Sequence, residues 1–110
     1  MSTTQKREIM EKSVKANYPE RKREFIIQMD YNDKDRLIFV GPVGYLTPMG
    51  GQLIARDAVK SVKGIKPKCI CRDIPVNDKL AIAVAYQVPL YKSRKKVFEK
   101  MVKAISSYQG

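Results

Sequence analysis

The sequence predicts an α+β domain: an antiparallel sheet of two hairpins with helices packed on one face, in the order α-β-β-α-β-β-α. Three observations predict it. Two stretches, "FIIQMDYNDKDRLIFV" and "KCICRDIPVNDKLAIAVAYQV", place alternating apolar residues on either side of a polar turn, which is the pattern of a hairpin. The segment after Ser93 repeats apolar residues at spacings of three and four, which is the pattern of an amphipathic helix. A chain of 110 residues with 44% hydrophobic content has enough material for one core, so residues 1–110 are expected to form a single domain.

Each element has its own warrant. Residues 4–17, "TQKREIMEKSVKAN", read as a first helix with Thr3 or Thr4 as cap and Pro19 as stop. Its apolar stripe is only Ile9, Met10 and Val14, so residues 1–20 are expected to be a loosely attached helix. In the first hairpin, Asp30 opposite Arg36 sets Met29 against Leu37 and Ile27 against Phe39, with a cross-strand ion pair at the end. Thr47 and Pro48 suit the start of a second helix, Ile54, Ala58 and Val62 recur along it every fourth residue, and Gly64 suits its stop. In the second hairpin, Ile74 opposite Lys79 puts Cys69, Cys71, Ile82 and Val84 on one face. Lys68, Ile70, Arg72, Ala81, Ala83 and Ala85 fall on the other. "LAIAVAYQV" is apolar on both faces, as expected of a central strand or of one buried in a homodimer. In the last helix, Ser93 is the expected N-cap and Val97, Phe98, Met101, Val102, Ile105 and Tyr108 form the core stripe.

Charge is the strongest functional signal. Lys and Arg number 22 against 11 acids, and such an excess favours polyanionic partners. The excess is local: residues 63–110 carry eleven cations and three acids, whereas residues 25–62 carry four of each. The expected contact surface is therefore Lys63, Lys66, Lys68 and Arg72 with Lys92, Arg94, Lys95, Lys96, Lys100 and Lys103. Lys92 to Lys96 sit at a helix start, the end at which the helix dipole disfavours cations. Only Glu99 lies among the six cations from Lys92 to Lys103, so pairing one turn apart cannot account for them. An arriving phosphate would, because helix N–H groups attract it as the lysines do. Gly50 and Gly51, in the first turn of the second helix, would allow close backbone approach to an anion or act as a hinge.

Other motifs carry less. "GPVG", Gly41 to Gly44, has the GXXG spacing of a KH loop, but it ends a strand and reads as a kink there. Tyr91 beside Lys92, and Tyr18 before Arg21, could each stack on a base or rest on apolar surface. "DYNDKD" groups Asp30, Asn32, Asp33 and Asp35, residues typical of a polar turn; a Mg²⁺-dependent nuclease built on them is a minor alternative. Two cysteines cannot complete a zinc site in a chain with no histidine, so Cys69 and Cys71 read as reduced, buried thiols. No metal, cofactor or catalytic residue is expected. The predicted element order is similar to that of LAGLIDADG homing endonucleases, but "TQKREIMEKSVKAN" lacks that family's acid-bearing motif, so the similarity carries no function.

The leading expectation is a small basic protein that binds DNA or RNA through the phosphate backbone. The alternative is a non-enzymatic regulator or inhibitor that docks on an acidic protein surface. The N-terminus has no apolar stretch of signal-peptide type, and no run is long enough to span a membrane; a cytoplasmic location is expected.

Overall fold

A computed structural model describes residues 9–16, 23–44 and 48–108. Five strands form one antiparallel sheet: β1 (Ile9–Ala16), β2 (Arg23–Asp30), β3 (Leu37–Pro42), β4 (Lys66–Val76) and β5 (Lys79–Gln87), in the spatial order β1-β2-β3-β5-β4. Two helices complete it, α1 (Pro48–Ala58) between β3 and β4, and α2 (Arg94–Ser106) after β5. The order is β-β-β-α-β-β-α, which corrects the predicted first element and removes the similarity in element order noted above. Among the described residues no helix is long and apolar enough to cross a membrane.

The first element is a strand because its side chains alternate. Val14 is buried and Met10 packs on the same core. Glu11 and Ser13 point to the other face, where Gln28 donates to Glu11 at 2.7 Å and the Ser13 hydroxyl donates to Glu24. Met10 and Val14 are four apart, a spacing that serves a helix and a strand equally; pairing with β2 decides between them. The proposed caps Thr3 and Thr4 lie outside the described residues.

Both helices cover one face of the sheet, α1 over β3 and β5 and α2 over β1 and β2. Between them Phe25, Ile27, Met29, Ile38, Val40, Val84 and Val88 from the strands meet Ala55, Val59, Val97, Phe98, Met101 and Ile105. Each fully buried large side chain here contributes about 2 kcal/mol. Ser93 caps α2 as predicted, accepting from the Lys96 amide at 3.3 Å. α1 begins at Pro48 as predicted and gives way to turns after Ala58.

The first hairpin is one residue out of its predicted register. Met29 faces Ile38, not Leu37, and Ile27 faces Val40, not Phe39. A one-residue slip exchanges faces, so Leu37 and Phe39 join Ile26 on the side away from the helices. The cause is Arg36. It adopts φ +56° and belongs to the loop, where its amide donates to the Asp33 carbonyl at 3.2 Å. Asp33 fixes the rest, its carboxylate accepting from the Asp35 and Leu37 amides at 3.0 and 3.1 Å.

The second hairpin is displaced by two, with Ile74 facing Ala81 rather than Lys79. An even displacement keeps the faces. Arg72 lies opposite Ala83, on the side with Ala81 and Ala85. These small residues let the Arg72 side chain cross β5. Its guanidinium stacks 4.0 Å from the centre of the Phe39 ring and donates to Gln28 at 3.0 Å. β5 lies between β3 and β4, so its two apolar faces are those of an interior strand. Cys69 and Cys71 are exposed, against the expectation of burial. Their strand is the sheet edge, beyond the strands the helices cover. Pro67, Pro75 and a register shift between Pro67 and Cys71 interrupt that edge, devices that discourage further strand pairing.

One buried group is unsatisfied. The Tyr86 hydroxyl has no hydrogen-bond partner among the described residues. Desolvation pushes its pKa from 10.0 up to about 12, with the Arg56 charge pulling the other way. Tyr86→Phe is expected to leave stability unchanged or raise it by about 1 kcal/mol. Because the folded chain holds this proton after the unfolded chain has lost it, wild-type stability should fall as pH rises from 10.0 to about 12. Denaturant titrations across that range should show this component missing in Tyr86→Phe.

Candidate nucleic-acid interface

The candidate site is built on the link between β5 and α2, and two arginines hold that link. Arg36, from the β2–β3 loop, donates through Nε to the Val88 carbonyl and through Nη2 to the Pro89 carbonyl, each at 3.1 Å, and also to the Lys92 carbonyl. Arg94, the first residue of α2, returns the contact. It donates to the carbonyls of Asp30 at 2.9 Å, Tyr31 at 2.7 Å and Asp33 at 3.4 Å. Each guanidinium thus adds charged donors to loop carbonyls, some of which also accept a backbone amide. The Val88 amide donates to the Arg36 carbonyl at 3.0 Å, and the Gln87 side chain donates to the Asp35 carbonyl at 3.1 Å. Arg36 does not form the predicted ion pair with Asp30.

Arg94 is therefore one cation at the helix start with a structural reason to be there. Lys95 and Lys96 are exposed on the same turn, and no acid occupies that turn. Further along α2, Lys100 and Lys103 flank Ala104 on the side that looks toward the link between α1 and β4. There they meet Lys63 and Lys92 around a cleft of about 510 Å³, completed by Ser61, Val62 and Ser107. Four lysines, drawn from three separate segments, line it with two serines and, among the described residues, no acid. Gly64 brings two of those segments together. Its φ is +80°, and a Cβ there would run into the Lys92 side chain, 2.8 Å from Nζ.

Near the cleft, the residue after the C-cap of α2 is tied to α1. The Tyr108 hydroxyl donates to Asp57 at 2.7 Å, and its ring meets Phe25 edge-on at 6.0 Å. The Tyr108 hydrogen bond and then Lys60, 3.2 Å away, hold the Asp57 carboxyl below its ordinary 3.8. The Asp57 carboxylate thus already has a donor and a cation of its own.

The ten predicted cations divide accordingly. Lys63, Lys92, Lys100 and Lys103 converge on the cleft. Lys66 lies just beyond Gly64 in an adjoining hollow with Tyr91 and Leu90. Lys95 and Lys96 extend the positive surface along α2 without lining the cleft. Lys68 is half-buried on β4. Arg72 is on the opposite sheet face, and Arg94 is committed to loop carbonyls. Gly51 is buried, and a Cβ there would sit 3.2 Å from the Ile82 carbonyl oxygen, so this glycine lets α1 lie close on β5. Sequence reasoning did not find Arg36 or the two serines; nothing in their local sequence distinguishes them. The Asp30–Asp35 loop is a turn held by its own side chains, and no group of three or more potential metal ligands occurs among the described residues.

Comparison with known families, curated proteins and solved structures gives no match, so function is read from this geometry alone.

Proposed function

We propose that the protein binds nucleic acid through its phosphate backbone, in the cleft formed by Lys63, Lys92, Lys100 and Lys103. The observation that carries this reading is the convergence of four lysines from three segments with no lining acid among the described residues. Solvated lysines ordinarily disperse or pair with carboxylates. Here tertiary structure gathers them, and hydroxyls of Ser61 and Ser107 supply the uncharged donors that phosphate oxygens also accept. Binding by charge and shape, without base-edge readout, follows from the absence of a side-chain amide or arginine in the cleft lining. Lys95, Lys96 and Lys66 continue the surface on which a longer strand would run.

Fluorescence anisotropy against labelled oligonucleotides tests it. Each neutralised phosphate contributes a log–log salt slope of about −0.7 on single strands, so four contacts give a slope of about −3. Lys100→Glu combined with Lys103→Glu is expected to halve that slope or better and to weaken binding at least about tenfold at low salt. Binding insensitive to salt, or unchanged in the double variant, would reject the cleft. Polyglutamate tests the acidic-protein reading: equal displacement by polyglutamate and by unlabelled oligonucleotide would favour a carboxylate-rich partner.

A further inference from the structure

We infer that the ligand is single-stranded and that Tyr91 is the platform on which one of its bases stacks. This deepens the phosphate-binding reading and rests on it. Leu90 and Tyr91 are 87% and 82% exposed, and both occupy the centre of a four-residue turn closed by the Lys92 amide donating to the Pro89 carbonyl at 3.1 Å. Turn centres ordinarily carry Gly, Pro, Asn or Asp. A leucine and a tyrosine held out in water are the opposite choice.

The turn is also rigid. Arg36 grips its two feet, the carbonyls of Pro89 and Lys92, and the carbonyl of Val88 before them. A tip fixed in this way loses little freedom on binding, which is what a preformed contact requires. Its chemistry then continues the cleft. Lys92 Nζ lies 5.9 Å from the centre of the Tyr91 ring, so one nucleotide can lay its base on the ring and its phosphate at the ammonium. Tyr91 and Lys66 line one hollow, shared with Lys34, Asp35 and Arg36. An exposed ring among cations is the combination that binds single strands: a positive track with a stacking surface. A duplex would not use it, because its base faces are already stacked.

Three ligands separate these cases: a labelled oligo-dT of about twelve nucleotides, a duplex of the same length and an abasic strand of the same length. Oligo-dT is expected to bind most tightly. Tyr91→Ala should weaken it roughly 5- to 100-fold, the range for losing one stacked base, and leave the abasic strand unaffected. Tyr91→Phe should retain wild-type binding to oligo-dT. An equal loss on oligo-dT and on the abasic strand, or no loss on either, overturns the inference. So does a Tyr91→Ala defect confined to phosphatidylserine vesicles, which would assign the tip to lipid. If wild type binds every strand equally through Lys100 and Lys103 while Tyr91 is silent, stacking falls and the cleft stands. If no strand binds at low salt, both fall.

Discussion

Arg36→Ala is expected to cost about 3 kcal/mol of folding stability, a melting temperature lower by roughly 10–20 °C for a domain of this size. The side chain is partly buried and donates to three backbone carbonyls. Hydrogen bonds from a charged donor each contribute more than neutral ones, and their removal leaves carbonyls that must be rehydrated inside a packed link. Charge alone does not explain the effect, because no carboxylate among the described residues is paired with this guanidinium. Arg36→Lys is therefore expected to recover less than half of the loss. A lysine has one point of attachment and cannot reach three carbonyls arranged around a planar fork. Thermal melts of wild type and both variants measure this. A lysine variant as stable as wild type would show that a nearby positive charge suffices.

Gly41→Ala is expected to cost about 3 kcal/mol or more, or to prevent folding. Gly41 lies in β3 where that strand runs against β5. A Cβ added there would fall on the Ile82 carbonyl oxygen and 2.7 Å from the Ala83 Cα. Those are backbone atoms of the adjacent strand, which cannot swing aside as a side-chain end can. The strands would have to part at their central seam. Gly51→Ala is the control. Its Cβ would meet the same carbonyl at 3.2 Å, a distance a small helix shift can relieve. The gain in helix propensity, about 1 kcal/mol, offsets that shift. Denaturant unfolding should place Gly41→Ala far below wild type and Gly51→Ala near it; similar losses in both would mean that close packing at Gly41 is not special.

The parts of this fold that could be read from the sequence are those whose determinants are local. α2 declares itself through Val97, Phe98, Met101 and Ile105, and Ser93 caps it because a serine before a helical stripe has few other uses. The two hairpins are legible as alternation about polar turns, and for the second, a displacement by two residues keeps the faces from Cys71 to Val76. The first lies one residue from its predicted register because Arg36 is a loop residue in a left-handed conformation and not a strand residue facing Asp30. Nothing in "NDKDR" announces that. β1 was hidden because Met10 and Val14 satisfy both periodicities, and only the partner strand chooses between them. The exposed cysteines were misjudged because facing Val84 buries a side chain only where a helix lies above. In the candidate site, Lys100 and Lys103 follow from helical spacing. Their meeting with Lys63 and Lys92 depends on how the α1–β4 and β5–α2 links approach each other, which is tertiary information.

The two arginines have a kinetic consequence. The sheet consists of two locally connected pieces, the β1–β2–β3 meander and the β4–β5 hairpin, joined where Leu37–Val40 pair with Val84–Gln87. Each piece can assemble from neighbours in sequence. Joining them closes a loop of about fifty residues, an entropic step that precedes its rewards. Arg36 reaches from the first piece to the second and Arg94 from the second to the first, at the same end of the join. They tie the two pieces together at that end. Contacts that form only after such a join slow the opening of a molecule more than they hasten its assembly. The lifetime of the closed state, and with it the persistence of the Leu90–Tyr91 tip in one shape, is expected to depend on these two side chains.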